Sequence, residues 1–405
     1  MQDTEQQLLH TYNRYQIVLD KGEGVYLYDM DGKEYLDFGS GIGDMAYGYS
    51  NQEYKDALKD QIDKVMHVSN LFYSTTIDSA AKRLKKASGM DRVFFTNSGA
   101  EAIEGALKAA KKYAYTRDNG STDHEIIAMN HSFHGRTMGA LSVTGTEHYR
   151  APFEQLIPGI RFAEFNDIES VKAQVTDKTC AIIVELLQGE GGIYPATEEF
   201  VAGLKELQQE KDILLIFDEV ITGFRLSLGG ASEYFQIKPD LLTYGKIIGG
   251  GMPVGAYGGR KEIMQVVAPA GPVYQAGTLS GNPVAMIAGI TQLQILRDHP
   301  EIYTELNRLG ERFRIGARAA AEEAGISCQI TGIGSLSCMY FADQPVRDYD
   351  SANRSDTAKF AEYYHKMLEM GNYFGPSQFE SVFLSAAHTE ADIDKTIEDM
   401  KRAFR

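Results

Sequence analysis

Residues 241–251 have the sequence LLTYGKIIGGG, in which a lysine follows a short apolar run and precedes three glycines. The run 241–244 predicts a strand that is buried on both faces. A lysine held at the end of such a strand has a lowered pKa, so its neutral amine is available for Schiff-base chemistry. The glycines would let a ligand approach the backbone closely. Lys246 is therefore the leading candidate for a catalytic residue, although a single lysine more commonly lies on a solvated face.

A second apolar run, 213–217 (ILLIF), leads directly into Asp218. Open α/β sheets bind their ligands at the carboxyl ends of the strands, which is where Asp218 is predicted to lie. A buried carboxylate there needs a partner, because burying an unpaired charge is costly. From this run alone, a ligand nitrogen and a structural partner, such as an arginine or a helix end, are equally supported.

Runs of the same kind alternate with helical patterns through the middle of the chain, which predicts an α/β fold with a mostly parallel sheet. The predicted strands are 92–96, 125–129, 181–185, 213–218, 241–244 and 254–258. After about residue 285 the pattern changes to longer helices and fewer strands. The predicted elements there are helices 283–296, 302–324, 357–370 and 390–404 and short strands at 335–341 and 382–385.

These patterns predict three parts of the chain. An N-terminal segment (1–50) contains a hairpin turn at Asp31-Gly32 and is expected to pack against the small domain. A large domain (51–299) contains the sheet. A smaller α+β domain (300–405) ends the chain.

The string NSGAEA at 97–102 falls between a predicted strand and a predicted helix. Free backbone amides and the helix dipole at such a position suit a phosphate group, which makes Ser98, Gly99 and Ala100 candidate binding residues. The pattern Ser98-x-x-Glu101 is also a capping box that stabilises a helix without any ligand, and the two interpretations are compatible. Thr278 is a second hydroxyl in a glycine-rich loop before a helix.

The string SFHGRT at 132–137 offers an aromatic ring and a cation. Phe133 could stack on a flat ligand, and Arg136 could hold a carboxylate through two parallel hydrogen bonds. Taken alone this string is a weak signal. His134 is assigned no acid–base role, because a histidine in this context is more often packed or solvated.

Composition excludes some classes of protein. The net charge of −16 argues against nucleic-acid binding, and no stretch approaches the roughly 18 to 20 apolar residues of a membrane span. Three widely spaced cysteines predict neither a disulfide framework nor a metal knuckle, so no metal is expected. The polar N-terminus lacks a signal-peptide pattern, and we expect a cytoplasmic protein.

Taken together and in this order, the motifs resemble the class III (ornithine/acetylornithine type) aminotransferases of pyridoxal 5'-phosphate (PLP) fold type I, over nearly the whole chain. The resemblance implies a seven-stranded type of sheet between helices. Up to about residue 220, strings such as HVSNLFYS and SFHGRTMGALSVTG resemble acetylornithine aminotransferase. From residue 221 on, strings such as GKIIGGGMPVGAYGGR and GPSQFESVFLSAAHTEADI resemble glutamate-1-semialdehyde 2,1-aminomutase.

The resemblance implies roles for the motif residues. Lys246 would bind PLP as a Schiff base and shuttle a proton, and Asp218 would pair with the pyridine nitrogen. The remaining implied contacts are Val220 and Phe133 on the two ring faces, Ser98, Gly99 and Ala100 at the phosphate, Gln188 at the phenolic oxygen and Glu190 near the substrate. Thr278 would reach the phosphate from a second subunit, which implies a homodimer with shared active sites.

The position of Glu380 affects the choice of substrate. Ornithine-type transaminases usually have an arginine in the late C-terminal strand, whereas residues 378–381 (QFES) contain an acid, as in the aminomutases. An acid there would repel a second carboxylate and favour an amino group or a neutral tail. Arg136 then remains the best candidate for a single carboxylate clamp.

The leading prediction is a PLP-dependent aminotransferase that moves an amino group from a carboxylate-bearing amine, of the N-acetylornithine, ornithine or ω-amino acid type, to a keto acid. The alternative is a glutamate-1-semialdehyde-type aminomutase, which transfers the amine within one substrate. Epimerase or racemase activity is a third option on the same scaffold. A regulatory or binding protein on this scaffold is disfavoured, because Lys246 and Asp218 are both present.

Overall fold

The computed structural model describes residues 7–153 and 155–405. Its centre is a seven-stranded sheet between layers of helices. In spatial order the strands are Arg92–Thr96, Gly255–Gly259, Leu241–Tyr244, Leu214–Asp218, Thr179–Val184, Glu125–Met129 and Ile160–Ala163. Of these seven, Gly255–Gly259 runs antiparallel to both neighbours and the others share one direction. The predicted α/β fold with a mostly parallel sheet is confirmed.

The seventh strand, Ile160–Ala163, was not among the six predicted from the apolar runs. It has only four residues, includes Arg161 and lies at the sheet edge, so three of its four positions are only partly buried. A strand covered on one side lacks the continuous apolar run that marks a central strand. The predicted strand 181–185 also ends one residue early, at Val184, which leaves Glu185 just beyond the sheet.

Helices cover both faces of this sheet. The bounds of the helices before residue 282 are Ser40–Gly43, Gln52–Lys64, Thr75–Ser88, Gly99–Arg117, Met138–Val143, Glu147–Arg150, Ile168–Gln174, Glu198–Lys211, Gly230–Tyr234 and Lys261–Met264. Helix Gly99–Arg117 buries its alanine-rich face against the strands. Its Gly105 is required by packing, since a Cβ there would lie 2.2 Å from the Tyr257 ring.

The C-terminal part is an α+β arrangement. Its helices are Pro283–Asp298, Glu301–Glu323, Tyr349–Asn353, Thr357–Glu369 and Glu390–Ala403, and its antiparallel strands are Gln329–Ile333, Leu336–Tyr340 and Val382–Phe383. A two-stranded ribbon, Leu187–Gln188 with Tyr194–Pro195, lies beyond the large sheet.

The N-terminal segment packs against this C-terminal part. Its strands are Leu19–Glu23, Tyr26–Asp29 and Glu34–Asp37, and the last of them pairs in parallel with Asn372–Tyr373. Phe38 stacks on Phe374 at 4.7 Å in a core that the two segments share. The first six residues of the predicted segment 1–50 lie outside the described residues, and the division into three domains stays a prediction.

The parallel strands set the position of the site. Asp218 is the last residue of its strand, Glu185 follows the neighbouring strand, and Lys246 lies two residues beyond Tyr244 at the end of the next. Because parallel strands end at one edge of the sheet, these side chains converge there. Among the described residues, we found no helix with the length and apolar character needed to cross a membrane.

Candidate active site

A cavity of about 600 Å³ opens at this edge of the sheet. It is lined by nine of the site residues predicted from the sequence, which are Ser98, Gly99, Ala100, Phe133, Arg136, Glu190, Asp218, Val220 and Lys246. Residues from the N-terminal segment, including Asp44, close one side of it. The structure therefore brings together motifs that lie up to 148 residues apart, from Ser98 to Lys246.

Lys246 is the first residue of a 3-10 turn, Lys246–Gly249, and its φ of +48° is in the left-handed region that non-glycine residues rarely adopt. Such strain is found mainly where the surrounding structure imposes a functional conformation. Burial lowers the pKa of Lys246, while the carboxylates of Glu190 and Asp44 act in the opposite direction. The lysine is thus a buried amine with a reduced affinity for protons.

Asp218 accepts hydrogen bonds from three donors, of which the hydroxyl of Thr243, at 3.5 Å, is the most distant. Nδ1 of His134 lies 2.7 Å from one carboxylate oxygen, and the amide of Val220 donates to the other at 2.9 Å. Burial opposes a charge on His134, but the hydrogen bond and the charge of Asp218 outweigh it, so the pKa of His134 is raised. The hydrogen bond from His134 orients the Asp218 carboxylate, which still lines the cavity. This role of His134 was not predicted from the sequence, in which its partner lies 84 positions away.

The start of helix Gly99–Arg117 forms a cradle of backbone. The hydroxyl of Ser98 accepts from the amide of Glu101 at 3.2 Å, which is one half of the predicted capping box; the Glu101 carboxylate accepts from the amide of Asn97 at 2.8 Å and not from that of Ser98. The first-turn amides of Gly99 and Ala100 have no acceptor within the helix. A Cβ at Gly99 would lie 2.8 Å from the Val220 side chain, so only glycine permits this close approach. These features fit a phosphate group.

Two further carboxylates were missed by the sequence analysis. Glu185 is buried and accepts from the amide of Phe133 at 3.0 Å, and burial raises the pKa of Glu185 to about 7. Burial also raises the pKa of Asp44 to about 6, an effect that Lys246 and Arg225 reduce. Glu185 had a detectable signal, since it follows a buried apolar run just as Asp218 does.

Arg225 is a third residue that the sequence analysis did not identify. It is buried, and burial lowers the pKa of its guanidinium to about 10. Its nitrogens donate to the carbonyl oxygens of Gly43 at 2.8 Å and Leu384 at 3.3 Å. Arg225 therefore joins the N-terminal segment and the C-terminal part to the loop that follows Asp218.

A smaller cavity of about 160 Å³, which we call the side cavity, shares Phe133 and Glu190 with the first. Its other lining residues are His131, Thr146, His148, Tyr149, Tyr349, Ser377, Phe379 and Glu380. The Tyr349 ring stacks on His131 at 4.2 Å and on Phe379 at 5.6 Å. Arg136 lies over the Phe133 ring at 4.9 Å, between the two cavities. Burial raises the pKa of Glu190; Lys246 lowers it and Glu380 raises it further.

Three predicted site residues lie outside the main cavity lining. Glu380 lines the side cavity. Gln188 is buried next to the site, and its amide donates to the carbonyl oxygen of Asn130 at 3.0 Å. Thr278 is exposed on the loop before helix Pro283–Asp298. The roles that the resemblance implies for these three residues stay predictions.

Comparisons with known proteins agree with this geometry. Glutamate-1-semialdehyde 2,1-aminomutase 2 of Lachnoclostridium phytofermentans is 43% identical over 94% of this chain and 89% of that protein. The aminomutase of Chloroherpeton thalassium is 40% identical over 96% and 90%. These matches extend through both halves of the chain.

Solved structures share the fold. An ornithine aminotransferase from Toxoplasma gondii superposes with a TM-score of 0.88 at 26% identity, covering 100% of this chain and 92% of that one. An omega-transaminase from Sphaerobacter thermophilus gives 0.85 at 27%, covering 97% and 92%. A transaminase with PLP bound gives 0.84 at 25%, covering 97% and 91%, and with the family it confirms the predicted cofactor.

The sequence model of the family described as "Aminotransferase class-III" matches residues 9–404, which is nearly the whole chain. This match, the aminomutase relatives and the convergence of Lys246 and Asp218 in one cavity all agree. The chain belongs to the class III family of PLP-dependent aminotransferases.

Proposed function

We propose that this enzyme transfers an amino group within a substrate that carries one carboxylate, in the manner of a glutamate-1-semialdehyde 2,1-aminomutase. The observation that carries the proposal is the charge of the two cavities. Arg136 is the single arginine among their lining residues, whereas Glu190 and Glu380 both face the side cavity. A substrate with a second carboxylate, such as glutamate, would be repelled there. An intramolecular transfer needs no such co-substrate.

Different residues of this chain would bind the cofactor, move the proton and hold the substrate. PLP, when bound, supplies a conjugated ring that withdraws electrons from the carbon bearing the amine. The Nζ of Lys246 would carry the cofactor and move the substrate proton, for which a lowered pKa is suited. Asp218, held by His134, would keep the pyridine nitrogen protonated. Arg136 would hold the substrate carboxylate.

Contacts to the rest of the cofactor follow from the same placement. The amides of Gly99 and Ala100 and the hydroxyl of Ser98 would hold the phosphate. Val220 and Phe133 would pack on the two faces of the ring, and Gln188 would meet the phenolic oxygen. The Glu185 carboxylate holds the loop that carries Phe133, because it accepts a hydrogen bond from the backbone amide of Phe133.

A transaminase acting on N-acetylornithine or ornithine is the second candidate. The sequence up to residue 220 supports it, as does the similarity to the ornithine aminotransferase structure. It would require the second carboxylate of a dicarboxylate co-substrate to avoid Glu190 and Glu380.

The proposal includes a homodimer in the cytoplasm. Leu71, Phe72 and Tyr73 are 90%, 72% and 107% exposed, and Tyr274 is 80% exposed. Asn70 ties this loop to the Thr278 loop, donating to the carbonyl oxygen of Ser280 at 2.6 Å. An exposed apolar patch of this kind favours a second copy of the chain, with Thr278 at its active site. The three cysteines are free, which suits a reducing compartment.

Product analysis of the purified holoenzyme tests the reaction. Glutamate-1-semialdehyde supplied alone should be converted to 5-amino-4-oxopentanoate with no keto acid present. Turnover of N-acetylornithine with 2-oxoglutarate, and none of the semialdehyde, would replace the proposal with the second candidate. No turnover of either substrate would contradict both.

Light scattering tests the dimer. The wild type should have twice the chain mass, and the double variant Leu71→Asp, Phe72→Asp should shift toward the monomer and lose activity. A matched pair of substitutions at exposed sites away from the patch, Gln209→Asp and Lys238→Asp, should leave the dimer intact. A monomeric wild type with full activity would contradict a shared active site.

A further inference from the structure

A groove with no acidic lining residue lies between helices Thr75–Ser88 and Pro283–Asp298, apart from both cavities described above. Its volume is about 400 Å³, and it is lined by Ser79, Lys82, Arg83, Lys86, Ala87, Leu228, Leu293 and Arg297. Four of these eight residues are cations, in a chain whose net charge is −16. We call it the basic groove. None of its residues lines the cofactor cavity or the side cavity.

The cations come from two helices and converge by helical periodicity. Lys82, Arg83 and Lys86 lie three, four and seven residues after Ser79, which puts the four on one face of their helix. Arg297 is one turn beyond Leu293 on the facing helix. The two helices pack directly on each other, so their cations line one groove.

The charges of the groove are available to a ligand. Lys82 and Arg297 have partners in Asp78 and Asp298, but these pairs are solvent-exposed and such pairs contribute little. Across residues 7–153 and 155–405, no carboxylate lies at salt-bridge distance from Arg83 or Lys86. The Nε of Arg83 is buried and has no hydrogen-bond partner in the same part of the chain. A buried donor without an acceptor is costly, and an anion would satisfy it.

The base of the groove is apolar. Leu293 is buried, and Ala87 and Leu228 pack against the main hydrophobic core. A small inorganic ion would leave this surface in water, whereas a ligand with an apolar body would cover it. The volume is within the range of small-molecule sites.

We infer that the basic groove binds a small amphipathic anion, with a phosphate or carboxylate head held by Arg83, Lys86 and Arg297 and an apolar body against Leu228 and Leu293. This site is independent of the cofactor and of the proposed reaction. It would be reached from solvent while the active site is occupied.

Calorimetric titration of the PLP-loaded enzyme tests the inference, with the phosphate-binding part of the active site already filled. Phenyl phosphate is the probe. Phenol represents its apolar part without the anion, and inorganic phosphate represents its anionic part without the ring. Phenyl phosphate should bind at least tenfold more tightly than either fragment, and benzoate reports whether a carboxylate head is also accepted. Equal affinity for phenyl phosphate and inorganic phosphate would overturn the apolar part of the inference.

Variants locate the site. Arg83→Gln with Lys86→Gln should weaken phenyl phosphate at least tenfold, and the exposed single variant Lys86→Gln should weaken it severalfold without a risk to folding. Lys85→Gln is the matched control, since this lysine is adjacent on the same helix but does not line the groove. Binding that is equal in the double variant and in Lys85→Gln would overturn the assignment.

Discussion

The cofactor cavity and the side cavity share Phe133 and Glu190 but are built in different ways. In the first, Glu185, Asp218 and Lys246 lie at the carboxyl ends of three adjacent strands of one sheet. In the second, the lining residues come from separate short segments, such as the short helix Glu147–Arg150 and the loop at 377–380. The large sheet therefore positions the residues that would act on the cofactor, whereas loops and short helices determine the shape of the cavity next to the substrate.

The two cavities also differ in how their charges are satisfied. Asp218 and Glu185 accept hydrogen bonds from His134 and from the amide of Phe133. In the described part of the chain, neither Glu190 nor Glu380 forms a salt bridge. Carboxylates without a cationic partner at a cavity wall are free to select a substrate by its charge. Changes in the first cavity should therefore affect catalysis, and changes in the second should affect specificity.

The largest effect is expected for Lys246→Ala. Without the Nζ there is neither a covalent anchor for PLP nor a group to move the proton, so turnover should fall by several orders of magnitude. The absorbance band of the lysine-bound cofactor should disappear at the same time. Lys238→Ala, at an exposed lysine, is the control and should retain both. Full activity in Lys246→Ala would remove the basis for the assigned reaction.

A smaller effect is expected for the pair that holds the pyridine nitrogen. Asp218→Asn removes the charge and should lower kcat/KM by about 10²–10³-fold, as for the loss of one preorganised electrostatic group. His134→Ala acts only through Asp218 and should cost about 10-fold. His134→Asn retains a donor and should recover part of that loss, with a changed pH profile of kcat/KM. Equal losses in both alanine and asparagine variants would mean that His134 is only a packing residue.

The same contrast explains what was predictable. Lys246 and Asp218 follow apolar runs, and the carboxyl edge of a parallel sheet collects such residues whatever their separation in sequence. Apolar runs also predicted the bounds of three strands without error, namely Arg92–Thr96, Glu125–Met129 and Leu241–Tyr244. The partnership of His134 with Asp218 depends on the path of a loop, and no periodic pattern encodes it.

The lining of the side cavity could not be predicted from sequence patterns. Glu380 was identified only through the resemblance, and the Tyr349 stack on His131 and Phe379 was not predicted at all. Residues 131 and 379 lie in two loops, and residue 349 begins the short helix Tyr349–Asn353, so the three share no element. Their contact follows from the packing of the C-terminal part on the large sheet, which is a property of the whole fold.

In the side cavity, Glu380→Arg should change specificity more than catalysis. The substitution exchanges a repulsive charge for an attractive one, so kcat/KM for glutamate as an amino donor should rise about tenfold, which corresponds to about 1.4 kcal/mol. The absorbance of the bound cofactor should not change. Glu369→Arg makes the same charge change at an exposed helix position and should have no effect. An unchanged kcat/KM for glutamate in Glu380→Arg would show that Glu380 does not face the substrate.

The smallest effect is expected at Asp44, which closes the cofactor cavity from the N-terminal segment. Burial raises the pKa of Asp44 from 3.8 to about 6 in the folded protein, and Lys246 and Arg225 only partly oppose this. The folded state then holds a proton that the unfolded state has released, so the contribution of Asp44 to stability is greatest below pH 3.8 and is lost as the pH rises through about 6. Asp44→Asn removes this dependence. Urea unfolding at several pH values between about 4 and 7 should show the wild type losing up to about 3 kcal/mol relative to Asp44→Asn as the pH rises. If the free energy of unfolding changed with pH in the same way for both proteins, Asp44 would be solvated. The N-terminal segment would then not exclude water from this side of the cofactor cavity.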